Sequence, residues 1–101
     1  MDLHVDHLPD RSTIVVDINK LLGPENENFQ GLVQESIDNG CKNISVDLSK
    51  VEYIASWGVG ILVHAYTTCS NKNIDFNIIG VNQHVMNVFN QLKLTELFKI
   101  N

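Results

Sequence analysis

The residues of this chain best able to do chemistry lie in Ile54-Ala55-Ser56-Trp57-Gly58-Val59-Gly60-Ile61-Leu62, where one hydroxyl and two glycines sit between apolar segments. Upstream, Asn43-Ile44-Ser45-Val46-Asp47-Leu48 alternates apolar and polar residues, as a strand with one buried face does. Downstream, Ile61, Leu62, Ala65, Tyr66 and Cys69 recur at helical spacing. The spacing predicts strand, short loop and helix, with Ser56 where the helix begins. A serine there can cap the free N–H groups of the first turn, and a negative charge placed on it would meet the positive end of the helix dipole. That corner suits a phosphate. Gly58 and Gly60 each cost the helix about 1 kcal/mol relative to alanine. Their presence points to close approach of backbone to backbone, or of a partner to this corner.

Rival chemistries fit less well. Ala55-Ser56-Trp57-Gly58 echoes the nucleophile elbow G-x-S-x-G, but Ile54 stands where the first glycine belongs. Asp75 and His84 are the acid and histidine in the right chain order for a triad, yet Asp75 falls at the start of its predicted strand, at the far end of the sheet from Ser56. The chain is also short for such a fold, so no enzyme is expected. Asp2, His4, Asp6 and His7 suggest a metal site at first sight, but His4 and His7 have opposite parity on a strand and point to opposite faces. Neither a metal nor another cofactor is expected. Cys41 and Cys69 lack Cys-x-x-Cys spacing and read as two reduced thiols, Cys69 on the buried stripe of its helix. His64 and His84 read as packing residues. Trp57 fits half-buried packing and an interface anchor equally well.

The elements that must position this corner follow from periodicity. Residues 3 to 8 and 13 to 18 form two short strands around Pro9-Asp10-Arg11, a candidate hairpin. Leu21 to Asn26 is a loop, after which Phe29, Leu32, Val33 and Ile37 mark a first helix ending at Asn39-Gly40. A strand at about 43 to 48, an apolar piece at 51 to 54 and the helix from Ser56 come next. Ile74-Asp75-Phe76-Asn77-Ile78-Ile79 is a further strand, parallel to the one before it through a right-handed crossover. Val85, Val88, Phe89 and Leu92 give a third helix, and Leu97 to Ile100 a closing strand or docked turn. The predicted fold is α/β: one domain over residues 1–101, with a mixed sheet of four or five strands and helices mainly on one face. Because the strands keep polar residues at alternate positions, the second face is expected to be wetter. The Ser56 loop then leaves the carboxyl end of a strand, where open α/β sheets place their sites.

The 101 residues, 44% of them hydrophobic, suffice for one core without metal or disulfide staples. No segment approaches the length of a membrane span, and the N-terminus lacks a signal peptide's basic start and apolar run, so a cytoplasmic location is expected. The formal charge of −5 argues against nucleic acid or an anionic membrane as the main partner, since both need clustered Lys and Arg.

Val46-Asp47-Leu48-Ser49, Val51 and Ala55-Ser56-Trp57-Gly58-Val59-Gly60-Ile61-Leu62 together resemble the STAS domain of anti-sigma-factor antagonists, whose pattern runs V-D-L-S and then D-S-S-G-L-G-V-L. The ending Leu92-Lys93-Leu94-Thr95-Glu96-Leu97-Phe98-Lys99-Ile100 is similar too, and the likeness spans about residues 11 to 100. The resemblance implies Ser56 as phosphoacceptor, with Leu22, Gly23, Ala55, Trp57, Gly58, Val59 and Gly60 as the adjoining contact surface. It further implies a partner-switching cycle. The unphosphorylated domain captures an ATP-binding serine kinase that doubles as anti-sigma factor, phosphorylation ends the capture, and a serine phosphatase resets it. Three positions differ from the family pattern: Ala55 replaces the acidic residue, Trp57 replaces the second serine, and Asn19-Lys20-Leu21-Leu22 replaces G-x-L-D. A docking or scaffold module that never cycles is the alternative these differences favour.

Overall fold

The computed structural model describes residues 2–100. The hairpin forms as β1 (Leu3–His7) antiparallel to β2 (Arg11–Val16). A two-residue strand β3 (Lys20–Leu21) precedes helix α1 (Asn26–Asp38). Then come β4 (Asn43–Asp47), a second two-residue strand β5 (Tyr53–Ile54) and helix α2 (Ser56–Asn71). Strand β6 (Asp75–Ile79) and helix α3 (Gln83–Gln91) complete the order. The main sheet runs β1-β2-β4-β6, with β2, β4 and β6 mutually parallel. It is therefore mixed and four-stranded, as periodicity predicted.

Register explains the core. Leu3, Ile14, Val16, Ile44, Val46, Phe76 and Ile78 share one face through the pairs Leu3↔Val16, Ile14↔Val46, Ile44↔Phe76 and Val46↔Ile78, and all are buried. Helix α1 covers this face over β1 and β2, and α2 covers it near β6. Phe29, Val33, Leu62, Ala65, Cys69, Val85 and Phe89 are the helical contribution to the same core. The opposite face is only half-buried and carries Asn43, Ser45 and Asn77, where the Ser45 hydroxyl bonds Asn77 Oδ1 at 2.7 Å. This wetter face matches expectation. His4 and His7 do point to opposite faces: His7 alone turns toward α1, with Ser12 Oγ 2.9 Å from its Nδ1 and Glu35 at 3.9 Å from its Nε2.

Two differences from the sequence reading bear on the site. The stretch read as loop at Leu21 and the apolar piece at 53–54 pair with each other as a parallel two-stranded sheet, Lys20↔Tyr53 and Leu21↔Ile54. Strands this short carry no period to read; the pairing is held by Glu52 and Tyr53 N–H groups donating to Asn19 O and Ala55 N–H donating to Leu21 O at 3.0 Å. The closing segment is a docked turn and not a strand. Phe98 is fully buried, packs edge-on against Phe76 and Phe89, and its carbonyl accepts the Ile78 N–H at 3.0 Å.

Candidate functional site

Because β2, β4 and β6 are parallel, the segments leaving them emerge at one end of the sheet. Leu22 and Gly23 follow the first, Tyr53 to Trp57 the second, and His84 the third. The site therefore forms at the carboxyl ends of the strands, as such sheets commonly place it. Ser56 lies there as the first residue of α2, exposed to solvent.

It does not cap the helix. Ala55 occupies the N-cap position with extended backbone (φ −91°, ψ 168°), and no side chain caps the helix. Ala55 N–H bonds Leu21 O, which keeps Ala55 in the extended path of β5, and the helix starts at Ser56, one residue earlier than a capping serine needs. The first-turn N–H groups are thus left without a side-chain acceptor, and the positive end of the dipole is open beside the Ser56 hydroxyl.

The two glycines have different reasons. A Cβ on Gly58 would lie 2.3 Å from the Leu21 carbonyl oxygen, so only glycine lets α2 sit this close to β3. Nothing lies within 4 Å of the corresponding position on Gly60, which is exposed and leaves α2 with a flat, open surface. Of the expected contact residues, Gly58 is buried under the surface, and Val59 is only 7% exposed and reaches solvent as groove floor. Leu22 and Trp57 do face outward, Trp57 at 79% exposure. Gly23 joins them from the other loop: its φ is +132°, and a Cβ there would approach Trp57 Cβ to 2.9 Å. The loop after β3 is thereby braced against the base of the tryptophan.

Sequence reasoning missed the far wall of the site. Tyr53, His84, Val88 and Leu92 line an open groove of about 620 Å³ together with Ala55, Ser56 and Trp57. The His84 ring stacks on Tyr53 with centroids 5.6 Å apart and planes 20° apart. Asn82 fixes α3 against this wall, accepting the Val85 N–H at 2.9 Å and donating to Val51 O at 2.9 Å. The usable signal was Asn82 as an N-cap, which turns His84 and Val88 toward the segment before Ser56. The groove lining holds no Asp, Glu, Lys or Arg. A hydrolase triad does not assemble: Asp75 lies at the amino end of its strand, 3.9 Å from Lys99. Among the described residues, no group of three or more His, Cys, Asp or Glu could hold a metal ion. No helix among them is long and apolar enough to cross a membrane.

Comparison with known proteins agrees with this architecture. No curated protein matches the chain in sequence. Among solved structures, an anti-sigma-factor antagonist STAS protein of Planctomyces limnophilus superposes with a TM-score of 0.82 at 17% identity, over 99% of this chain and 88% of that one. The Bacillus cell-fate determinant SpoIIAA in its phosphorylated form gives 0.75 at 11% identity, over 98% and 90%. The murine anion transporter Slc26a9 gives 0.75 at 12% identity, over 94% of this chain and 16% of the transporter. At such identities the likeness speaks to the fold. The family model of the STAS domain matches residues 8–101, and with the sheet order and strand-to-helix corner described above, the chain belongs to the STAS domain family.

Proposed function

We propose that the chain is a partner-switching regulator of the anti-sigma-factor-antagonist kind, working by protein contact and without catalysis of its own. In this reading the domain, in the cytoplasm, binds a serine kinase that doubles as anti-sigma factor while Ser56 is unmodified. A phosphate on Ser56 releases it, and a serine phosphatase restores the bound form. The observation that carries the reading is the exposed Ser56 hydroxyl on an uncapped helix start, next to the exposed Trp57. A phosphate there adds about −1.5 to −2 charges at a surface that a docked partner would dry, and desolvating that charge removes the affinity of the contact. SpoIIAA, similar in fold, has been solved in unphosphorylated and phosphorylated forms, which fits a domain of this shape carrying such a switch.

A second reading has its own support. Ala55 and the uncharged groove supply no carboxylate beside Ser56 to orient its hydroxyl, which suits a permanent docking module in a signalling complex. Affinity purification from the native cells separates the two, comparing the unmodified chain with Ser56→Asp and mapping phosphate in the same sample. The switch predicts a serine kinase captured by the former, lost by the latter, and phosphate found on Ser56. Equal capture by both forms with no phosphate on Ser56 leaves the docking module.

A further inference from the structure

Ser56 lines the same groove as His84, so a phosphate carried by the serine enters a hollow that already holds an imidazole. His84 is exposed on the first turn of α3, with its ring laid on Tyr53. We propose that His84 is the receiver of that phosphate: the imidazolium donates a hydrogen bond to a phosphate oxygen and draws the phosphoseryl side chain into the groove, across the face the unmodified chain offers a partner. The inference rests on the reading of Ser56 as a phosphorylated residue and adds the group that meets the charge.

Charge carries the assignment. The groove lining comes from the β5 segment, α2 and α3 and holds no Asp, Glu, Lys or Arg. Within it the titratable groups facing His84 are therefore the Tyr53 phenol beneath the ring and, once attached, the phosphate. Tyr53 and Trp57 each offer one neutral donor, and the uncapped first turn of α2 offers partial charge alone. His84 is the one residue of the lining that can turn cationic near neutral pH, and a hydrogen bond from a cation is about twice as strong as one between neutral groups. Its order helps as well. With ring planes 20° apart on Tyr53, and with Asn82 fixing the first turn of α3, the imidazole is positioned before any phosphate arrives. Less side-chain entropy is then lost when the bond forms. His64 shares a different hollow with Ser56 on the outer side of α2, but it stands eight residues along the helix, roughly 12 Å of rise away. The pair of His84 and phosphate is strongest where the imidazole is still charged and the phosphate already dianionic.

A phosphorus NMR titration of the full chain tests this, with phosphoserine built in at position 56 during synthesis so that neither kinase nor partner is needed. A cation beside the phosphate favours its dianion. The second ionisation, ordinarily at about pH 6, is therefore expected at lower pH in this chain than in its His84→Gln variant, by about threefold or more in the ionisation constant. His84→Lys keeps a cation at the position and should restore the difference, which a merely structural role for the ring would not allow. His64→Gln should leave the ionisation unchanged. Both histidines are exposed, so circular dichroism should show every variant folded. Equal ionisation constants with and without His84→Gln, a shift that His84→Lys fails to restore, or an equal shift from His64→Gln overturns the proposal. Such a result leaves the switch itself standing, whereas native cells that never phosphorylate Ser56 would remove the switch and leave this ionisation as it is.

Discussion

At the scale of single residues, Gly58 and Gly60 look alike in sequence and differ in their surroundings. Gly58→Ala sets a methyl group against the Leu21 carbonyl, a backbone atom that cannot swing aside. The strain outweighs the gain in helix propensity, and urea unfolding should show a net loss of about 1–3 kcal/mol. Gly60→Ala meets open space, so the same measurement should show a gain of up to about 1 kcal/mol. Equal effects at the two positions would mean that β3 does not sit against α2 as described. Cys69 makes a second contrast. Burial first, and then the neighbouring Cys41, push its thiol from 9.0 up to about 11. Since the folded state holds the proton more tightly, this thiol's contribution to stability is whole below pH 9 and declines between pH 9.0 and about 11 as the unfolded chain ionises. Thiol reagents should leave Cys69 unlabelled in the native protein near neutral pH and label it once the chain is unfolded.

At the scale of elements, the site depends on how α3 is held. Asn82 bonds both the first turn of α3 and the Val51 carbonyl. Asn82→Ala should therefore cost about 1–2 kcal/mol in denaturant unfolding and loosen the wall that carries His84 and Val88. The long elements were legible because each has a period: Phe29, Val33 and Ile37 on α1, Ile44 and Val46 on β4. The serine corner was legible because two periods change over at it. Strands β3 and β5 were not, since two residues have no period and their pairing is a tertiary contact between segments more than thirty residues apart. The same pairing draws Ala55 into the extended path and moves the helix start to Ser56, so the predicted cap failed for a reason local sequence does not contain. His84 escaped notice because its role comes from stacking on Tyr53, a neighbour only in space.

At the scale of the whole molecule, one core joins the sheet, the three helices and the closing turn. Phe98 ties them together through edge contacts with Tyr66, Phe76 and Phe89. Phe98→Ala should cost about 3–5 kcal/mol, read as a fall in melting temperature, because it empties the junction of β6, α2 and α3. This scaffold holds three strand-end segments around Ser56; in the proposed switch, the charge on that one side chain governs partner binding. The most direct test installs phosphoserine at position 56 and measures, by titration calorimetry, the affinity of modified and unmodified chains for the partner recovered from native cells. Partner switching predicts that the phosphate weakens binding by roughly 100-fold or more, about 2.7 kcal/mol. Affinities equal within about threefold would contradict it, making Ser56 a bystander at a permanent docking surface.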